Sequence, residues 1–280
     1  MSASAVRPSQ MAFVSKEVHM CRQKICFLIL LSLTLCIPLG GSAEPIEDYG
    51  EAINQAGRQR MLSQRMVKAF AQIGQRILFA NPREQLTSAV RLYQKQLNNL
   101  KSFARSEKTK RALLHAETVW KRYKNVADGE VDINSAIKLN GLSEELLQVS
   151  QKVVEALVQE AGTEKAHIVD ISGRQRMLSQ RMAKYYLLLS WGVEDLQFHG
   201  EFKKAEMEFS QALAELNGSS LNTAEISEVL EKVNKQWRFF QLTKLMDKGK
   251  YLPSVVARTT ESLLQDMNRV TGMYAKVTVM

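Results

Sequence analysis

Three arginines recur in a fixed pattern within a ten-residue segment that occurs twice in this chain. The segment GRQRMLSQRM covers residues 57–66 and returns unchanged at residues 173–182, an offset of 116 residues. A guanidinium group is planar and permanently charged, and its parallel N–H donors fit flat oxyanions and carboxylates. The pattern therefore favours the binding of an anion, either a small free one or a carboxylate on another protein surface.

The sequence around each copy supplies no negative charge to balance these arginines. Residues 52–83 contain six basic side chains and no aspartate or glutamate, and residues 171–193 contain four basic side chains and no acid. A helix of this composition lacks i,i+4 acid–base pairs, and like-charge neighbours destabilise it. We therefore expect a ligand or another element of the protein to compensate the charge.

Helical spacing divides the first copy between two faces of one helix. The face that packs into a bundle consists of Leu62, Met66, Ala69, Phe70, Ile73 and Ile77. The outward face consists of Gly57, Arg60, Met61, Gln64 and Lys68, with Arg58 and Arg65 beside the apolar face. A glycine inside a helix costs about 1 kcal/mol relative to alanine, and its missing side chain lets a second helix come close. We predict a helix-to-helix contact on the outward face, with an anion between the arginines.

The candidate ligand-binding residues share this outward face in the two copies. They are Arg60, Arg176, Gly57, Gly173, Gln64 and Gln180, with Arg58, Arg65, Arg174 and Arg181 as secondary candidates. An alternative interpretation of Arg58 and Arg65 is that they pair with glutamates of neighbouring helices. The methionines of the segment are interpreted as core or interface packing residues.

The elements that must position these residues are nearly all helical. Proline is scarce after Pro45, and Asn81, Pro82 and Glu84 follow the pattern of an N-cap and a first helical turn. Four amphipathic segments occur in each half, and the second set repeats the first at an offset of 116 or 117 residues, which indicates an internal duplication. The sequence predicts an all-α fold of two tandem antiparallel four-helix bundles, residues 44–160 and 161–280.

The connection between the two bundles is predicted to be one long shared helix. Residues 142–193 contain no proline, so the last helix of the first bundle can continue into the first helix of the second. The alternative is a hinge at Gly162 and Thr163.

The first 43 residues are predicted to be a cleaved signal peptide. Arg22 and Lys24 precede an apolar run of 13 residues from Ile25 to Ile37, and small residues follow, with cleavage expected after Ala43. All three cysteines lie in this segment, so an exported chain would contain neither disulfides nor thiols. Its removal takes four basic residues from 38 and one acidic residue from 29, which leaves a net charge of +6. We expect a periplasmic protein with an anionic partner and no contact with nucleic acid.

Enzymatic chemistry is not expected. Ser63 and Ser179 lie in mid-helix without a histidine or lysine at the spacing of a nucleophile and its base. The histidines have no metal-ligand spacing, and no glycine-rich phosphate loop occurs. The sequence therefore predicts no catalytic residue, no metal and no cofactor.

The repeated segment resembles a known family signature. Residues 53–66, INQAGRQRMLSQRM, are similar to the I-N-x-A-G-x-x-R-M-x-S-x-R signature of the PilJ-type domain. This domain is found at the N-terminus of type IV pilus chemotaxis transducers and of nitrate/nitrite sensor kinases. Residues 169–182, VDISGRQRMLSQRM, are a second match that departs at Val169, Asp170 and Ser172. The four-helix layout extends the resemblance loosely over residues 45–276.

The resemblance implies a fold, a ligand and a pair of site residues. In the nitrate-sensing relatives the domain is an antiparallel four-helix bundle that dimerises. The arginine between the glycine and the methionine of the signature grips a planar anion between two first helices. That arginine corresponds to Arg60 in the first copy and to Arg176 in the second. Asp170 stands where the signature has asparagine, and its carboxylate is expected to weaken anion binding in the second copy.

Two hypotheses of function follow. The first is an exported, non-enzymatic sensory protein that binds a small oxyanion such as nitrate or nitrite and signals through a membrane-bound receptor or signalling partner. The second is a ligand-free helical interaction module whose arginine face docks an acidic protein surface. A homodimer and a contact between the two modules of one chain are both compatible with the sequence.

Overall fold

The computed structural model describes residues 46–245 and 251–277. The described residues form eight helices without strands: α1 Tyr49–Gly74, α2 Pro82–Phe103, α3 Glu107–Ala127, α4 Ile133–Ala161, α5 Glu164–Ser190, α6 Leu196–Asn217, α7 Ala224–Leu245 and α8 Pro253–Lys276. The fold is therefore all-α, as predicted. The predicted signal peptide, residues 1–43, lies outside the described residues.

Side chains just before the helices define where they begin. Asp48 accepts a hydrogen bond from the backbone N–H of Glu51 at the start of α1. Asn81 caps α2 ahead of Pro82, as the sequence predicted. Such caps satisfy N–H groups of the first turn that have no partner within the helix.

The first four helices form one antiparallel bundle. Gln59 of α1 donates to the carbonyl oxygen of Tyr93 in α2, and Arg60 donates to Gln151 of α4. The aromatic ring of Tyr93 stacks on that of Trp120 of α3, with ring centroids 4.1 Å apart. These contacts join α1 to its neighbours and bury the apolar face of each helix.

The second four helices repeat this arrangement. Gln175 of α5 donates to the carbonyl oxygen of Phe209 in α6, which is the equivalent of the contact between α1 and α2. Phe209 in turn packs against Trp237 of α7, with ring centroids 4.4 Å apart. The predicted duplication is thus a duplication of structure.

The predicted long shared helix is wrong. Helix α4 ends at Ala161, and Gly162 has a φ of +60°, a left-handed conformation that ends helices. Thr163 then caps α5 through the backbone N–H of Ala166. The absence of proline did not preserve the helix, because a glycine followed by a capping threonine is itself a strong helix end. The alternative of a break at Gly162 is the correct one.

The two modules belong to one compact unit, residues 44–280. Helices α1 and α5 pack side by side, since Lys68 contacts Gln180 and Gln75 contacts Leu187. Partner numbers rise together along the two helices, so α1 and α5 run parallel. We call this contact the inter-module interface. The division into separate domains at residue 160 stays a prediction.

Candidate functional site

Two glycines bring the repeated segments into direct contact. A Cβ built on Gly57 would lie 3.9 Å from the Cα of Gly173, and one built on Gly173 would lie 4.0 Å from the Cα of Gly57. The same Cβ positions lie 3.2 to 3.5 Å from the Nη2 atoms of Arg60 and Arg176. The glycines therefore make room for two guanidinium groups between the helices, and the close approach predicted from them is present.

Arg60 reaches across the interface into the second module. Its Nη2 atom lies 2.7 Å from a carboxylate oxygen of Asp170 and 3.3 Å from the carbonyl oxygen of the same residue. Its Nη1 atom donates to Gln151 of its own module at 2.6 Å. The side chain of Arg60 is fully buried.

Arg176 makes the equivalent contacts in the opposite direction. It donates to the side-chain oxygen of Asn54 at 2.9 Å and to the carbonyl oxygen of Asn54 at 3.1 Å. It also donates to Asn268 of its own module at 3.0 Å. Asn54 and Asp170 occupy the same position of the duplicated signature. Each arginine therefore binds the residue at this position in the other module.

The two arginines differ in their charge balance. Within the described residues, no carboxylate lies at ion-pair distance from Arg176, although the residue is fully buried. Burial lowers the pKa of Arg176 well below its ordinary value, and the positive charges of Arg58 and Arg60 lower it further. The Nε atoms of Arg60 and Arg176 are buried and have no hydrogen-bond partner in the described part of the chain. The pair thus holds more positive charge and more donors than the protein itself satisfies.

A second layer of charges flanks the arginine pair, one turn or two further along the helices. Lys68 and Arg65 bind Glu261 of the second module, with the Lys68 contact at 2.7 Å. Lys184 and Arg181 bind Glu144 of the first module in the equivalent way. Each module therefore gives one glutamate to the basic residues of the other.

Burial and ion pairing shift the pKa values of this layer. Burial lowers the pKa of Lys68 and that of Lys184 to about 8, against the opposing effect of the partner glutamate. Burial would raise the pKa of Glu261, but the charges of Lys68 and Arg65 outweigh it and lower the pKa. The same holds for Glu144 between Lys184 and Arg181. The glutamates are therefore ionised at neutral pH, as an interface of this charge pattern requires.

The sequence left two sources of negative charge open, a ligand and another element of the protein, and these glutamates are of the second kind. Sequence analysis missed Glu144 and Glu261 because each acts on the module to which it does not belong. Their equivalent positions, 117 residues apart, were the signal that could have found them.

Gln64 and Gln180 donate to helices of their own modules rather than to the arginine pair. Gln64 donates to the carbonyl oxygen of Ser143 in α4, and Gln180 donates to that of Thr260 in α8.

The secondary arginines divide into two groups. Arg65 and Arg181 bind Glu261 and Glu144 across the interface. Arg174 binds Glu208 of its own module at 2.9 Å. All three therefore pair with glutamates. For Arg65 this is the alternative interpretation given above, and Arg174 and Arg181 behave in the same way.

Arg58 is the exception. It makes one long contact of 3.4 Å to Asn268 and has no carboxylate within ion-pair distance among the described residues.

The hypothesis that the outward arginine face docks an acidic protein is not supported by this geometry. Arg60 and Arg176 have no exposed surface, because the facing module covers them. An external acidic surface cannot reach either guanidinium while the two modules remain packed together.

The fold and the site define a class: tandem helical bundles that present paired arginines between parallel first helices. The family model described as type IV pili methyl-accepting chemotaxis transducer N-terminal domain, PilJ, matches residues 46–129 and 158–248. The chain belongs to this family of periplasmic sensor domains, in two tandem copies. No curated protein and no solved structure matches the chain.

Two further observations bear on the function. Within residues 46–245 and 251–277, no helix combines the length and hydropathy needed to cross a bilayer. The same residues contain no group of three or more histidine, cysteine or acidic side chains arranged to hold a metal ion.

Proposed function

We propose that this protein is an exported, periplasmic sensory protein that binds a small planar oxyanion, nitrate or nitrite being the candidates, between Arg60 and Arg176. Occupancy of this site would be passed to a membrane-bound signalling partner. No enzymatic step, cofactor or nucleic acid belongs to the proposal.

The observation that carries the proposal is the state of Arg176. A buried guanidinium without a carboxylate is costly, because desolvation removes water that neutral amide oxygens replace only in part. Among the described residues, Arg176 has only the oxygens of Asn54 and Asn268 as partners. A monovalent anion beside Arg176 would neutralise the guanidinium charge, for which the described residues supply no carboxylate.

The Nε atoms of Arg60 and Arg176 support the proposed position of the anion. In a guanidinium group, Nε and Nη2 lie on one edge and can hold two oxygens of a planar anion side by side. The Nη2 atoms of both arginines lie next to Gly57 and Gly173, and both Nε atoms lack hydrogen-bond partners among the described residues. One planar anion between the two edges would use the free Nε donors and share the Nη2 atoms, which already donate to Asp170 and Asn54.

Entry of the anion requires a local rearrangement of the interface. Both arginines are buried, so the amide side chains of Asn54 and Asn268 have to turn aside as the anion arrives. Such a change alters the contact between α1 and α5, which both modules share. A partner that prefers one arrangement of the two helices would then sense occupancy, since a ligand shifts an equilibrium by its difference in affinity for the two states.

Calorimetry of the purified chain without residues 1–43 tests the proposal. We expect nitrate or nitrite to bind with a dissociation constant below about 1 mM, which corresponds to about 4 kcal/mol. Arg176→Gln and Arg60→Gln should each weaken binding at least tenfold. Arg174→Gln is the matched control, because Arg174 belongs to the same segment but pairs with Glu208 at the surface.

Two results would reject the proposal. One is the absence of submillimolar binding of any planar oxyanion to the wild-type protein. The other is binding that is unchanged in both Arg60→Gln and Arg176→Gln while circular dichroism shows that these variants remain folded.

A further inference from the structure

The duplication creates two equivalent grooves, one on each side of the inter-module interface. Groove 1 lies between α1, α2 and α8 and has a volume of about 630 Å³. Groove 2 lies between α5, α6 and α4 and has a volume of about 500 Å³. Arg58 and Met61 line groove 1 where Arg174 and Met177 line groove 2. Both volumes fall within the range of small-molecule sites.

The arginines of groove 2 are neutralised by acids of the groove itself. Arg174 binds Glu208 at 2.9 Å, and Arg181 binds Glu201 at 2.7 Å in addition to Glu144. Glu208 and Glu201 come from α6, so the second module balances the arginines of its own groove. Groove 2 is also lined by Lys152 and Lys204, but neither of its two arginines is left without an ion pair.

Groove 1 lacks both of these acids. Leu92 stands at the position equivalent to Glu208, and Gln85 stands at the position equivalent to Glu201. Arg65 still binds Glu261, but Arg58 is left with the single 3.4 Å contact to Asn268. The exchange of an acid for a leucine therefore leaves Arg58 without an ion pair among the described residues, whereas its equivalent Arg174 is paired.

The exchange also makes the wall of groove 1 more apolar. Leu92, Met61, Leu62, Leu264 and Phe79 all line groove 1. The guanidinium carbon of Arg258 lies over the Phe79 ring, 5.1 Å from its centroid. A ligand in this groove would meet these apolar side chains, the cation Arg58 and the amides of Gln265 and Asn268. The carboxylate of Glu84 also lines the groove and accepts a hydrogen bond from Asn81.

We propose that groove 1 binds a small organic carboxylate with an apolar body. The carboxylate would pair with Arg58 and accept from the amides beside it, while the body packs against the leucines and Met61. This site is separate from the one between Arg60 and Arg176, and it does not depend on oxyanion binding there.

The groove is nevertheless linked to the buried arginine pair. Asn268 accepts from Arg58 in groove 1 and from Arg176 at the interface through the same side-chain oxygen. A carboxylate that takes Arg58 away from Asn268 leaves that oxygen to Arg176 alone. The organic anion would therefore strengthen the hydrogen bond between Arg176 and Asn268. A stronger bond would disfavour the rearrangement of Asn268 that oxyanion entry requires.

Calorimetry with benzoate and its neutral analogue benzamide tests the site. We expect benzoate to bind the wild-type chain without residues 1–43 at least tenfold more tightly than benzamide. Leu92→Glu restores the acid that groove 2 contains and should weaken benzoate binding at least tenfold by occupying Arg58. Arg58→Gln should have the same effect, whereas the matched variant Arg174→Gln in groove 2 should leave binding unchanged.

Carbon-13 labelling of the methionine methyl groups locates the ligand. Benzoate should shift the Met61 resonance and leave that of Met177, its equivalent in groove 2, in place. Leu92→Glu should still bind nitrate, with an affinity reduced at most slightly because Arg58 no longer shares the side-chain oxygen of Asn268 with Arg176. Persistent nitrate binding in this variant separates failure of the groove site from failure of the interface site.

Three outcomes would overturn the proposal. They are the absence of benzoate binding to the wild type below about 1 mM, equal binding of benzoate and benzamide, and full binding in Arg58→Gln. Arg58→Gln provides this test if Leu92→Glu fails to fold, because Arg58 lies at the groove surface and forms no ion pair in the described residues.

Discussion

The backbone of Gly57 lies against that of Gly173, with 3.9 Å between the place of a Cβ on Gly57 and the Cα of Gly173. The two residues occupy the same position of the duplicated segment, so the chain packs one copy of its motif on the other. The first helices of the two modules are thereby arranged as the first helices of a symmetric dimer would be. One polypeptide supplies both halves of this arrangement.

The first prediction concerns the glycine contact. Gly57→Leu should destabilise the protein by about 3 kcal/mol, because a large side chain would overpack the interface and displace two hydrogen-bonded arginines. Chemical denaturation followed by circular dichroism measures the change in the free energy of unfolding.

Gly141 of α4 provides the matched control for this substitution. A Cβ at Gly141 would meet no atom within 4 Å, so Gly141→Ala should stabilise the protein by up to about 1 kcal/mol through helix propensity. If Gly57→Leu were as stable as the wild type, close packing of α1 on α5 would be excluded.

The second prediction concerns the glutamates that cross the interface. Glu261→Gln should cost about 3 kcal/mol, because it leaves the buried Lys68 and the partly buried Arg65 without a counter-charge. Glu144→Gln should cost less, about 2 kcal/mol, since Glu144 is 29% exposed against 9% for Glu261.

The ranking of the two glutamates has a second reason: Arg181 keeps Glu201 when Glu144 is changed. Denaturant midpoints of both variants, measured side by side, check the order. A larger loss in Glu144→Gln than in Glu261→Gln would contradict the assignment.

The third prediction concerns Asp170, the carboxylate already bound to Arg60 at 2.7 Å. A free anion at the proposed site competes with this carboxylate, so Asp170→Asn should increase the affinity for nitrate or nitrite by about tenfold, which is 1.4 kcal/mol. The same change should lower the stability of the ligand-free protein by about 1 kcal/mol, because Arg60 loses its ion pair.

Calorimetry and thermal unfolding with and without nitrate measure the two effects of Asp170→Asn together. Asn54→Asp is the complementary variant: it adds a carboxylate beside Arg176 and should weaken anion binding. Equal anion affinity in wild type, Asp170→Asn and Asn54→Asp would show that neither arginine binds the anion.

The fourth prediction concerns pH. The pKa values of Glu144 and Glu261 are lowered from 4.5 in the folded protein, so their stabilising contribution is complete above about pH 4.5 and is lost as the pH falls through the folded-state values. The free energy of unfolding should therefore decrease as the pH falls below about 4.5.

The double variant Glu144→Gln with Glu261→Gln isolates this effect from that of other carboxylates. Its unfolding free energy should fall less steeply with acidification than that of the wild type over the same range. Parallel pH profiles for the two proteins would mean that the crossing ion pairs do not contribute.

Much of the fold could be predicted because its signals are local. The cap at Asn81 and the helical spacing from Leu62 to Ile73 involve neighbouring residues only, and the structure agrees with them. Ile77, the last residue of the predicted apolar face, lies beyond α1, which ends at Gly74. The error at Gly162 arose from giving the absence of proline more weight than the glycine and threonine that end α4 and begin α5.

The candidate site was predictable in part. Gly57 and Arg60 were placed away from their own core by helical geometry, and the structure puts them in the contact with α5. The partners of these residues were not predictable, because Asp170 and Glu261 are distant in sequence and act on the other module.

By itself, the sequence determined the helices, the duplication and the unbalanced positive charge on one face of each motif helix. Only the tertiary structure decided that the two faces meet each other and that Glu144 and Glu261 bind basic residues of the opposite module. It also decided that no carboxylate in the described part of the chain pairs with Arg176. The physical reason is that helix formation depends on residues a few positions apart. The environment of a buried charge depends instead on which surfaces pack together. The spacing of residues along the chain does not determine that packing.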